Sequence, residues 1–161
     1  MKVVGDMIVG LYNMPDVEIL KDIKVSKAFV SDMDKIMDFI DNELPNEQGW
    51  KKEIQYSLMQ SPIKVIIATK NNELTGFACY DASAKGFFGP IGVKKSERGK
   101  GVGKALLTTT LNYMKADGYA YAIIGWVGSA DKFYKKTVGA IRIPSATPDK
   151  SIYSNKINLK F

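Results

Sequence analysis

Residues 89–107, "GPIGVKKSERGKGVGKALL", decide how the chain is read. Three glycines (Gly99, Gly101, Gly103) and four positive charges (Lys95, Arg98, Lys100, Lys104) crowd between a run that reads as a strand and one that reads as a helix. Glycine lets a backbone approach a ligand closely, and the first turn of a helix leaves its N–H groups free to point at an anion. A P-loop requires G-x-x-x-x-G-K-[ST]. Around Gly103-Lys104 its first glycine position is Arg98 and its final hydroxyl position is Ala105, so the magnesium ligand is missing. A Rossmann turn requires G-x-G-x-x-G. Gly99 and Gly101 supply two glycines, but the third falls on Lys104, and no acidic residue ends a second strand where a ribose would need it. What fits is R-x-x-G-x-G over residues 98–103, with an ordinary basic loop as the plain alternative.

Behind this turn, residues 101–116 form the clearest helix in the chain. Lys104, Thr108, Asn112 and Lys115 make a polar stripe, and Val102, Ala105, Leu106, Leu107, Leu111 and Met114 fill the rest of the circumference. Asp117-Gly118 closes the helix. In front of the turn, "GFFGPIGV" reads as a strand in which Pro90 marks an edge or a bulge, because proline cannot donate to a ladder. "KVIIATK" and "LTGFACYDA", separated by Asn71-Asn72-Glu73, read as an antiparallel hairpin. Further upstream, residues 23–30 read as a strand, and Ser31 with Asp34 as an N-cap opening a helix that Pro45 ends. A second helix runs from about residue 47 to 60. After the central helix come a strand, "YAYAIIGWV", a short helix, "SADKFYKKTV", capped by Ser129, and two final strands, "AIRIP" and "IYSNKINLK". Residues 1–22 read as an extension carrying an extra strand or hairpin, and residues 23–161 as the main domain. The sum is a single α+β domain, a mixed central sheet flanked by helices.

Composition narrows the chemistry. A chain of 161 residues can bury a substantial core as one domain. No apolar run is long enough to span a membrane, and Asp6 interrupts what would otherwise be a short apolar N-terminus. The single cysteine, Cys79, agrees with a reducing cytosol, so a cytoplasmic protein is expected. The net charge of +6 raises nucleic acid as a partner. Yet of 23 basic residues only Arg98 and Arg142 are arginine, and the lysines alternate with acids, which reads as a solvated surface. There is no histidine. That removes the Ser-His-Asp triad, the Cys-His dyad and any histidine-ligated metal, so no metal is expected. Acid–base work falls to carboxylates, tyrosine, lysine or water.

The order of elements resembles the GNAT acetyltransferase superfamily over most of the chain from about Ile23. The family pattern is a strand, R/Q-x-x-G-x-G/A, a helix, a strand, and a short helix bearing a tyrosine before a glycine. Here these stand as "GPIGV", "RGKGVG", "KALLTTTLNYMKADG", "YAYAIIGWV" and "ADKFYKKTVGA". The segment "GWVGSADKFYKKTVGA" also looks like a narrower, uncharacterised subgroup. The resemblance implies a GNAT-like fold with splayed central strands and acetyl-CoA as co-substrate. Backbone groups of Ile91 and Val93 would hold the pantetheine. The amides of Gly99, Lys100, Gly101, Val102, Gly103 and Lys104, with Arg98 beside them, would hold the pyrophosphate. Tyr134 would protonate the departing thiolate. Many family members carry asparagine seven residues before that tyrosine, whereas here the position is Val127, so that contact is lost or passes to Ser129.

The chemistry implied is direct transfer of an acetyl group to a primary amine on a small molecule or peptide, by a monomer or homodimer. A bulged strand around Pro90 would leave N–H groups for the developing oxyanion. Asp81, Glu47, Glu53 or water would take the amine's proton, and Trp50, Trp126 and Tyr12 are candidates to line the acceptor site. A non-catalytic acyl-CoA-binding module and a lysine-rich nucleic-acid binder are the competing classes.

Overall fold

The computed structural model describes residues 2–157. The runs that alternate by twos become strands: β1 (Gly5–Gly10), β2 (Lys24–Lys27), β3 (Val65–Lys70), β4 (Glu73–Tyr80), β5 (Phe87–Val93), β6 (Tyr121–Val127) and β7 (Ile141–Arg142). The runs with helical spacing become α1 (Met33–Glu43), α2 (Trp50–Leu58), α3 (Val102–Ala116) and α4 (Asp131–Val138). The strands form one sheet in the order β2-β3-β4-β5-β6-β1-β7. Every neighbouring pair is antiparallel except β5–β6, which is parallel and is joined by the α3 crossover that a parallel pair requires.

Strand alternation divides the core in two. On one face Ile66, Ala68, Ala78, Tyr80 and Phe88 pack beneath Leu106, Leu107, Leu111 and Met114 of α3. On the other, Val65, Ile67, Phe77 and Cys79 meet Ile36 and Ile40 of α1 and Ile54 and Leu58 of α2. Each such aliphatic side chain stabilises the fold by about 1.5–3 kcal/mol on burial. Cys79 is a core residue whose thiol is pushed up by burial, with the Glu53 charge adding to it.

The two central strands part company soon after they meet. β5 and β6 pair only at Phe87↔Ile123 and Phe88↔Ile124. From Gly89 onward β5 keeps β4 on one side and has no ladder on the other, while the β4–β5 register shifts between Ala78 and Tyr80. The open edge and the bulge expected around Pro90 are both present, and the central strands splay.

Several local expectations are corrected. The first helix is preceded by a 3-10 turn, Val30–Asp32, and the Asp32 carboxylate accepts the Phe29 N–H at 2.7 Å, so Ser31 and Asp34 do not form the cap. The N-cap of α4 is Ala130, with no side-chain cap bond, rather than Ser129. The final strand is absent over 152–157: Ile152–Asn155 is a 3-10 turn, with the Ser151 hydroxyl accepting the Tyr153 N–H. The remainder of that expected strand lies outside the described residues. β1, from the N-terminal extension, is inserted between β6 and β7. Among the described residues no helix is long and apolar enough to cross a membrane.

Candidate active site

The fork between β5 and β6 leads directly into the glycine turn. Gly99 and Gly101 have φ of 76° and 88°, the left-handed region that glycine enters without steric cost. This conformation carries the chain from Arg98, still extended, into the first residue of α3. Among the described residues the N–H groups of residues 99–104 donate to no carbonyl and no side chain; the first intrahelical bond is Ala105 N–H to the Gly101 carbonyl, at 3.0 Å. Six consecutive donors at a helix N-terminus favour a polyanion such as a pyrophosphate. Arg98 turns back, its Nε donating to the Val93 carbonyl at 3.1 Å, and so fastens the turn to the end of β5. Lys100 meets Glu97 at 3.6 Å and Lys104 meets Glu18 at 3.5 Å. Both lysine side chains are exposed, and surface pairs hold about 0–1 kcal/mol each, so both ammonium groups remain available to a stronger anion. Leu20 lies against the turn as well: a Cβ on Gly101 would come within 3.3 Å of its Cδ2.

Three elements converge at Gly103. A Cβ there would sit 3.7 Å from Val93 Cγ2 and 3.8 Å from Phe133 Cζ, which brings the start of α3, the open end of β5 and α4 together. Tyr134, the next residue of α4, is 7% exposed, with its ring 6.3 Å from Phe88 and 5.3 Å from Phe133. Its hydroxyl makes no hydrogen bond among the described residues, and burial alone pushes its pKa up to about 12. Ile91 and Val93 are half-buried on the α3 face of β5, beside the open edge.

The opposite face of the fork carries a polar group that the sequence did not disclose. Phe87 and Phe88 are adjacent on β5 and point to opposite sides of the sheet. Tyr134 packs on Phe88, and Tyr153 packs on Phe87 with a centroid distance of 6.3 Å. The Tyr153 ring also stacks obliquely on Trp126 and fills the space where a Cβ on Gly125 would stand. Tyr153 Oη donates to Ser83 Oγ at 2.7 Å, and Ser83 Oγ donates to Glu53 Oε1 at 2.9 Å. Burial pushes the Tyr153 phenol up to about 12, partly offset by the Ser83 hydrogen bond, with Glu53 and Asp6 raising it further. The 3-10 turn bearing Tyr153 is held by the buried Asp6 carboxylate, which accepts the Ser151 hydroxyl at 2.9 Å and the Trp126 N–H at 2.9 Å.

The remaining expected residues distribute as follows. Asp81 is 6% exposed at the far end of β4, where its N–H bonds the Phe87 carbonyl. Its carboxylate is filled by Lys64 Nζ at 2.6 Å, the Tyr119 hydroxyl at 2.8 Å and the Gly86 N–H at 2.7 Å. The seven residues from Phe87 to Val93 span about 20 Å of extended strand, so Asp81 and the glycine turn lie at opposite ends of β5. Ser129 is exposed in the turn before α4, and Val127 is core, its carbonyl accepting the Val4 N–H at 2.8 Å. Glu47 lies in the α1–α2 turn, where burial raises its pKa, and the adjoining Leu44 covers Gly92 of β5. Trp50 packs edge-on to Phe77. Tyr12 lies under Lys115 at the opposite end of α3 from the glycine turn and lines no part of the fork. Among the described residues no cluster of carboxylates and cysteine could hold a metal.

A sequence model described as the Acetyltransferase (GNAT) family matches residues 31–140. No curated protein matches the chain by sequence. Among solved structures, similarity extends to a GCN5-related glucosamine N-acetyltransferase region of a fungal multi-domain GH3 β-N-acetylglucosaminidase. That match has 16% identity and a TM-score of 0.69, covering 87% of this chain and 20% of that one. A GCN5-related N-acetyltransferase from Sphaerobacter thermophilus is 18% identical with a TM-score of 0.66, covering 87% and 49%. An aminoglycoside acetyltransferase from an uncultured soil metagenomic sample, in complex with trehalose, is 18% identical with a TM-score of 0.55, covering 74% and 90%. The chain thus spans a fifth of the first of these proteins and about half of the second. At these identities the likeness is one of fold.

Proposed function

The chain belongs to the GNAT acetyltransferase family, and from that premise we propose that it moves an acetyl group from acetyl-CoA directly to a primary amine. The observation that carries this reading is the convergence at Gly103 of an open strand edge, a run of unpartnered amides and a tyrosine-bearing helix. When bound, acetyl-CoA supplies an activated thioester, and the residues named here would hold it. The amides of residues 99–104, with Lys100 and Lys104, bind the pyrophosphate, and the free edge of β5 from Gly89 to Val93 receives the pantetheine as an added strand would be received. Backbone N–H groups on that edge stabilise negative charge as it develops on the carbonyl oxygen. Tyr134 serves as the general acid. A thiol has a pKa near ~8.5, so a phenol held protonated above it donates a hydrogen bond to sulfur and passes its proton as the C–S bond breaks. Asp81 is poorly suited to act as base, since its lone pairs are already occupied by Lys64, Tyr119 and Gly86.

The reading is tested by thermal shift and by thiol release. Saturating acetyl-CoA is expected to raise Tm, since a ligand selective for the folded state stabilises it, while ATP and NAD raise it far less. A panel of primary amines is expected to contain at least one that drives release of free CoA. Binding without release on any amine would favour a non-catalytic acyl-CoA module, and no binding at all would overturn the proposal.

A further inference from the structure

We propose that Tyr153, Ser83 and Glu53 form the path by which the attacking amine loses its proton, with Tyr153 Oη as the atom that receives it. The inference rests on the acetyltransferase reading above and adds Tyr153 and Ser83, which the sequence did not single out, to Glu53, which it offered among the candidate bases.

Three observations carry it. Tyr153 spans the vertex of the fork. Its ring rests on Phe87, from the first β5–β6 rung, and its hydroxyl lies 3.0 Å from where a Cβ on Gly125 would stand, one residue past the last rung. It is also on the face opposite Tyr134, because it packs on Phe87 whereas Tyr134 packs on Phe88. A thioester lying in the fork would have a proton donor on the face from which the thiolate leaves and a proton acceptor on the face from which an amine arrives. Finally, the hydrogen bonds run one way: Tyr153 Oη to Ser83 Oγ at 2.7 Å, then Ser83 Oγ to Glu53 Oε1 at 2.9 Å.

That polarity permits a balanced transfer. As the amine nitrogen commits its lone pair to the new N–C bond, its N–H proton moves to a lone pair on Tyr153 Oη. The O–H of Tyr153 passes its own proton to Ser83 Oγ, and Ser83 passes its proton to the Glu53 carboxylate. The products are a neutral amide nitrogen, two unchanged hydroxyls and a protonated Glu53. Glu53 is half-buried and returns the proton to solvent. A phenol that stays protonated up to about 12 is no resident phenolate base at neutral pH, so it acts by exchanging one proton for another. The ionisable groups facing this path are Asp6 beneath the 3-10 turn, which raises Tyr153, and Cys79 beneath Glu53.

The test compares Tyr153→Phe, Ser83→Ala, Glu53→Gln and the Ser83→Ala/Glu53→Gln double variant in the full chain, using acetyl-CoA and an amine that the wild type acetylates. Each single change is expected to lower kcat about 10²-fold at neutral pH. The double variant should lose no more than the worse single one, because a broken path cannot be broken again. The deficit should narrow as pH rises and hydroxide takes the N–H proton in place of the broken path. The Tm shift given by acetyl-CoA should be unchanged in all four. Independently of turnover, ¹³C NMR of labelled tyrosine should show the Tyr153 phenol titrating lower in Glu53→Gln, since a negative charge facing it has gone. Undiminished kcat in Tyr153→Phe, or losses that add and hold constant with pH, would overturn the path while leaving the acetyltransferase reading intact. Wild-type protein that binds no acetyl-CoA and acetylates no amine would overturn both.

Discussion

Tyr134 and Asp81 illustrate how similar burial serves different ends. Tyr134 has no hydrogen-bond partner among the described residues, and its pKa near 12 keeps it protonated throughout the working range. Tyr134→Phe keeps the stack on Phe88 and Phe133, so kcat should fall about 10²-fold with acetyl-CoA affinity little changed. In the wild type, kcat should show no alkaline fall from this residue before about pH 11. Equal losses of rate and affinity would instead make the tyrosine a wall of the cofactor site. Asp81 is saturated, and Asp81→Asn strands the Lys64 ammonium beside a neutral amide. The expected result is a loss of about 2–4 kcal/mol in denaturant unfolding with kcat per folded molecule preserved. A base would show the reverse. The placement of Tyr134 on a short helix was legible because that helix, its spacing and the following glycine are local in the chain. Asp6, Ser83 and Tyr153 were not, because their partners lie 145, 30 and 70 residues away. Read along the chain, "IYSN" is simply a β-prone run.

At the scale of elements, the turn into α3 separates two glycines that look alike in sequence. Gly101 has φ of 88° and Leu20 close by, whereas Gly103 has ordinary helical geometry and room for a methyl group at 3.7 Å from Val93. Gly103→Ala should therefore raise stability by about 0.5–1 kcal/mol and keep acetyl-CoA binding, as the G/A alternative in the family pattern implies. Gly101→Ala should cost about 1–2 kcal/mol and weaken the acetyl-CoA shift, since the strain distorts the amides that face the anion. Identical behaviour of the two variants, measured by chemical unfolding and thermal shift, would contradict this account of the turn. The central helix, the β3–β4 hairpin and the strand with Pro90 were readable because periodicity and punctuation mark them within a dozen residues. Caps were less readable: Asp32 competes with Ser31 for the same start, and only the fold of the preceding 3-10 turn decides between them.

At the scale of the whole molecule, strand order is the feature the sequence left open. Nothing in "GDMIVG" says that it pairs with a strand more than a hundred residues later, because β pairing is set by which edges are left unfilled. Its insertion between β6 and β7 gives β6 a second neighbour and leaves the β5 side of β6 free to diverge. The packing of four tyrosines in and around the core predicts the response to alkali. Tyr119, Tyr134 and Tyr153 are each held up to about 12, and Tyr80 is raised further, with desolvation the largest cause in every case. An unfolded chain ionises its tyrosines near ~10. The stability from keeping these phenols neutral is therefore fully present below about pH 10 and is lost as pH rises toward 12. Tm should decline over that window; ionisation of any of these four phenols in a still-folded chain at pH 10, followed ring by ring with ¹³C-labelled tyrosine, would contradict their desolvation.

The most direct test of the central claim is a backbone amide NMR titration of the full chain with acetyl-CoA. The account predicts saturable shifts concentrated at residues 99–104 and along the free edge of β5 from Gly89 to Val93, with β2 and the β3–β4 turn unmoved. Shifts confined to surface lysines and abolished by moderate salt, or no saturable shift at the turn, would contradict it.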